Sequence, residues 1–94
     1  IELIEIIPDL QRLEQDLNSV KSDIDNLVER LREIGDSRYR KYQFISNEIS
    51  GATDKIDDVI ATINKDPRSE ANRQRVVNEL VLLRDDIMQI LDEL

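Results

Sequence analysis

Acidic side chains are the main candidates for chemistry: 21 of the 94 residues are Asp or Glu, among them the adjacent pairs Asp57-Asp58 and Asp85-Asp86. Paired carboxylates can share a proton or chelate a hard cation. Neighbouring helical residues, however, point about 100° apart, so neither pair can close on one ion, and a solvated helix face accounts for both. His and Cys are absent. That removes the commonest general base, the commonest transition-metal ligand, thiolate nucleophiles and disulfides. The serines and threonines therefore have no base to activate them. No calcium-loop spacing, phosphate-binding loop or Gly-rich cradle occurs. The expectation is a chain that is not an enzyme, with no catalytic or metal site, no cofactor and no small-molecule substrate.

A second group of residues points to binding. Residues 1–29 hold eight acids and two bases, whereas residues 30–41 hold Arg30, Arg32, Arg38, Arg40 and Lys41 against only Glu33 and Asp36. Every aromatic residue lies beside this basic cluster, in Arg38-Tyr39-Arg40-Lys41-Tyr42-Gln43-Phe44. Cations interleaved with rings can hold phosphates or acidic peptides. Tyr42 falls on an apolar seam and reads as a core plug, whereas Phe44 falls on the outward side. Asp92 and Glu93 at the far end of the chain are expected at the same end of the molecule, where they would neutralise the cluster. The whole chain carries −8, which counts against duplex nucleic acid and anionic membrane surfaces.

The elements that position these residues follow from periodicity. Leu3, Ile6, Leu10, Leu13, Leu17, Val20, Ile24, Leu27, Leu31 and Ile34 alternate spacings of three and four, which places all ten on one helical stripe of heptad type. Pro8 fits a first turn and Gly35 a helix end. A helix over 8–34 is predicted, with Ile1 to Ile7 as a preceding turn or the tail of an upstream helix. Asp36 or Ser37 is expected to cap a second helix over 37–65, whose seam is Tyr42, Ile45, Ile49, Ala52, Ile56, Val59 and Ile63. Ser50-Gly51-Ala52-Thr53 weakens its centre, yet the spacing runs through, so one continuous helix is expected. Asp66-Pro67 reads as a restart, giving a third helix over 67–94 on Val76, Leu80, Leu83, Ile87, Ile90 and Leu94. Connections this short force neighbouring helices antiparallel.

The expected fold is therefore all-α: an elongated antiparallel three-helix bundle with coiled-coil-like packing, spanning 1–94 as one domain. Only two Gly, two Pro and 3% aromatic residues support that class over a loop-rich or all-β one. In outline it resembles a spectrin-repeat-type bundle, without that family's Trp in the first helix. It is similar in outline also to the chaperone-binding BAG domain. That family's last helix, with an Arg-rich start and an Ile-Gln-x-x-Leu end, is faintly echoed by Arg73 to Arg75 and Ile87 to Leu91. Both are likenesses of architecture and imply no shared motif.

Helix three carries apolar residues beyond its seam, at Val77, Val81, Leu82, Met88 and Leu91. Two neighbours can cover Val77 and Leu91, whereas Val81, Leu82 and Met88 exceed that width and suggest a third contact. The chain also begins at Ile1 without a Met, inside a heptad pattern, as a piece of a longer protein would. It has no run long enough to span a bilayer and no signal peptide, so a cytoplasmic setting is expected. The functional expectation is a non-catalytic interaction module or spacer, self-associating or holding a protein partner through Val81, Leu82 and Met88. The alternative is a regulatory domain that binds an anionic ligand or nucleic acid through Arg38, Tyr39, Arg40, Lys41 and Phe44.

Overall fold

Three local signals set where the helices begin and end. The computed structural model describes residues 2–94, and Ile1 lies outside the described residues. A 3-10 turn, Leu3–Ile6, leads into α1 (Ile7–Glu33), followed by α2 (Tyr39–Lys65) and α3 (Glu70–Glu93). Pro8 occupies the first turn of α1, where its missing N–H costs nothing. At the other end Gly35 adopts φ +71°, its N–H donates to the Arg32 carbonyl and the Asp36 N–H to the Leu31 carbonyl. This left-handed terminator supplies donors to last-turn carbonyls, with Arg30 and Arg32 set against the negative helix end.

The two helix starts differ from the sequence-based expectation. Asp36 does not cap α2: its carboxylate accepts the Arg38 backbone N–H at 2.9 Å and pairs with the Arg38 guanidinium at 2.7 Å. The helix then opens at Tyr39 with no side-chain cap. Asp66-Pro67 likewise forms the connection instead of the start of α3. Pro67 holds the preceding residue extended, with Asp66 at φ −157°, and three residues later the Ser69 hydroxyl accepts the Asn72 N–H at 3.3 Å. The Asn72 side chain donates back to the carbonyls of Thr62 and Asp66, tying the start of α3 to the end of α2. Across Ser50–Thr53, α2 runs unbroken, and the Thr53 hydroxyl donates to the Ser50 carbonyl within its own turn.

Cross-helix pairs set the directions. Tyr39 lies under the Arg32 guanidinium and the Ser46 hydroxyl donates to Asp25, so α2 runs back along α1. Lys55 pairs with Asp86 and Glu48 meets Glu93, so α3 runs back along α2. The outcome is an all-α three-helix bundle of 53 × 19 × 17 Å in which α1 and α3 are parallel. Both pack on α2 and hardly touch each other. Accordingly α2 supplies the deepest core: Ile45, Ile49, Ile56 and Ile63 are completely buried, with Val59 and Ala52 nearly so.

The other two helices bury only part of their stripes. On α1, Leu10, Leu17, Ile24 and Leu31 are buried, joined by Val28, which lies off the predicted seam. Their heptad companions are not: Leu13 is half-buried, and Val20, Leu27 and Ile34 are exposed. On α3, Val76, Leu83 and Ile90 are buried, Leu80 and Ile87 half-buried, and Leu94 exposed. The cause is geometric. A single long stripe serves two neighbours only where both are present and close, and α1 has α2 alone along much of its length. Among the described residues, no helix is long and apolar enough to cross a membrane.

Candidate partner-binding groove

The incomplete contact between α1 and α3 leaves an apolar groove of about 260 Å³. Leu10 and Leu13 form its α1 wall, Leu80, Leu83, Ile87 and Met88 its α3 wall, and Arg84 stands at the rim. Leu10 and Leu83 are the floor, since both also pack into the core. Further along α1 the same line of side chains continues through Val20, 40% exposed, and Leu27, 37% exposed. On α3 it continues through Leu91, 63% exposed. Large aliphatic side chains seven residues apart, half-covered and facing a trough, resemble a bundle seam that lacks one helix.

The three apolar residues singled out on α3 divide between two faces of the helix. All are exposed; Val81 and Met88, seven residues apart, share one face of α3, whereas Leu82 points away from it. Met88 belongs to the groove against α1. Leu82 lies on the α2 side, in a smaller hollow of about 180 Å³ with Lys55, Asp58, Val59 and Glu79. Val81, one residue before Leu82, points about 100° away from it, toward solvent. Reading α3 alone therefore finds Met88 and misses Leu13 on α1, with Val20 one heptad further along. The heptad count separates these from Leu10, Leu17 and Ile24 as a second column, but only the position of the other helices decides which column is covered.

The basic-aromatic segment occupies the end of the bundle opposite the N-terminal ends of α1 and α3. Because Glu93 sits at the level of Glu48, α3 stops short and leaves Tyr39 to about Asn47, roughly 12 Å of α2, packed on α1 alone. Asp92 and Glu93 consequently do not neutralise the basic cluster: Glu93 meets another carboxyl, and among the described residues the cluster's ion pair is Arg38 with Asp36. Tyr39 is sandwiched by the Arg32 and Arg40 guanidinium groups at 5.1 and 5.8 Å, and Lys41 lies 5.5 Å from the Tyr42 ring. The contact with Arg40, with Arg32 adding to it, pulls the Tyr39 phenol below its ordinary value. Tyr42 packs against the core, while Phe44 is 58% exposed.

Several acidic residues pair with bases and four meet one another. Asp25 receives Lys21 at 2.8 Å and the buried Ser46 hydroxyl, and these two donors hold its carboxyl below the usual range. Asp85 accepts from Arg84 and Asp86 from Lys55, which separates that adjacent pair. Asp57 faces Glu14, whose carboxyl is pushed up by burial and then by Asp57. Glu48 is pushed up further, to about 7, first by the hydrogen bond with Glu93, then by burial and by the charges of Glu93 and Asp86. One oxygen of Glu48 and one of Glu93 are buried without a donor. A single shared proton between the two carboxyls satisfies both. Among the described residues, no three acidic groups converge as the ligands of an ion would.

Two surfaces of the described residues are candidates for binding, an apolar groove between parallel helices and a basic, aromatic hairpin end. No family model, curated protein or solved structure matches the chain.

Proposed function

We propose that this chain is a non-catalytic interaction module, a rigid helical spacer whose α1–α3 groove receives a helix of a protein partner. The observation that carries this reading is the groove itself. Leu13 on α1, with Leu80, Ile87 and Met88 on α3, lines an apolar trough, and Val20, one heptad on from Leu13, keeps aliphatic surface in water. Covering such side chains is worth roughly 1.5–3 kcal/mol for each one fully buried. The occupant is either a second copy of the chain or a different protein, and the groove suits both in shape.

Position-specific crosslinking tests this. A photoreactive residue placed at Val20 is expected to give a discrete adduct in the cell that makes the protein, and the adduct should disappear with Ile87→Gln. An adduct of twice the parent mass identifies self-association. The same probe at Asn26, on the exposed side of α1, should give none. Equal yields from both positions would remove the reading.

The hairpin end supports a second reading, an anionic-ligand site. Arg40 and Lys41 have no acidic partner among the ion pairs of the described residues, and Phe44 is exposed beside them. Titration with polyphosphate should shift the amide resonances of residues 38–44 and weaken steeply with salt. Unmoved resonances in that segment would dispose of it.

A further inference from the structure

The groove has a charged edge that narrows the choice of occupant. Leu13, Val20 and Leu27 have Leu17 and Ile24 on one side, buried against the core. On the other side, three or four positions away and therefore adjacent on the helix surface, stand Asp9, Asp16 and Asp23. All three are exposed. Among the described residues none of them takes part in an ion pair. They repeat every seven residues, the same period as the apolar line beside them, so the acidic edge follows the groove instead of winding away from it. Across the trough, the α3 side is apolar at Met88 and Leu91, and its one rim cation, Arg84, is already paired with Asp85.

We infer that the groove takes an amphipathic helix with an apolar stripe bordered on one edge by Lys or Arg at seven-residue intervals. This rests on the docking function proposed above and specifies its partner. A helix laid in the trough places its apolar stripe on Leu13, Val20, Leu80 and Ile87. The edge nearer α1 then faces three carboxylates in succession, where basic side chains are attracted and acidic ones repelled. A second copy of this chain fits poorly. The copy would itself carry −8, and its own α1 would set Asp9, Asp16 and Asp23 against their counterparts, with only Arg30 continuing that line as a cation. Its other cations of the 30–41 cluster lie around the hairpin end and not along an exposed apolar stripe.

Two synthetic helical peptides of four heptads test the assignment. Both carry Leu at the two seam positions, and the flanking positions are Lys in one and Glu in the other. The expected result is binding of the Lys peptide with shifts at Leu13, Val20, Ile87 and Met88, and at least tenfold weaker binding of the Glu peptide. Asp9→Asn/Asp16→Asn/Asp23→Asn should weaken the Lys peptide about tenfold, the sum of three exposed ion pairs. Glu29→Gln/Glu33→Gln/Asp58→Asn removes the same charge away from the groove and should change affinity less than twofold. Equal weakening by both triple variants would show attraction by net charge alone and overturn the inference. Equal binding of both peptides in the groove would overturn it while leaving the docking function standing. If neither peptide moved the groove resonances, both would fall. A chain that dimerises in sedimentation equilibrium and turns monomeric with Val20→Gln would make the occupant a second copy and also overturn it.

Discussion

Replacing Glu48 by Gln should flatten the dependence of stability on pH between about pH 5 and 8, because Glu48 titrates there in the folded chain. Its carboxyl, hydrogen-bonded to that of Glu93 and partly buried, is raised from 4.5 to about 7. The folded protein therefore keeps a proton that the unfolded chain releases near 4.5. Over that window the native state binds more protons, so stability falls as pH rises. The contribution is complete below about 4.5 and is lost as pH passes about 7. A shift of this size corresponds to about 3 kcal/mol at most. Both side chains keep some contact with water, and screening there reduces the expected loss to about 1 kcal/mol. Asp25 has the opposite sign: its lowered carboxyl favours the folded state above 3.8, and that contribution is lost at lower pH, outside the window. Glu14 has the same sign as Glu48 but is common to both proteins and cancels in the difference. Urea unfolding followed by far-UV circular dichroism at about pH 5, 6.5 and 8 gives the two curves. The wild type should lose about 1 kcal/mol more than Glu48→Gln across the range, and Glu93→Gln should behave like Glu48→Gln. Parallel curves would refute the shared proton.

The two glycines should respond to alanine with opposite signs, although a Cβ at either would meet no atom within 4 Å. Gly51 is helical and exposed, so Gly51→Ala should stabilise by several tenths to about 1 kcal/mol, whereas Gly35→Ala forces a side chain to φ +71° and should cost about 1–2 kcal/mol. Thermal melts read both, and destabilisation by Gly51→Ala would mean that a helix crosses there more closely than the structure has it. Ile56→Ala, at a completely buried site, should cost about 2–5 kcal/mol, whereas Val20→Ala, at the groove, should cost under about 1 kcal/mol. Equal costs for the two would place Val20 in a closed core and abolish the groove.

Much of the fold was legible in the sequence because helices announce themselves locally. The alternation of three and four, the Gly35 stop and the Asp66-Pro67 break are properties of neighbours along the chain, and three helices joined by short turns follow from them. Even there, the caps were settled by which oxygen reached an N–H in space: Asp36 was taken by Arg38, and Ser69 capped α3 in place of Asp66. The candidate site was less legible. Leu17 and Val20 belong to the two neighbouring apolar columns of one heptad stripe, and nothing local says which column is buried and which is not. Their difference depends on how far α3 stands from α1 and on where α3 ends, opposite Glu48 and not at the hairpin. Asp16 shows the same division: its seven-residue spacing from Asp9 and Asp23 is written in the sequence, but only the open side of α1 turns that spacing into the edge of a groove. A periodic pattern determines which residues share a face, and the packing of distant segments determines whether that face is covered.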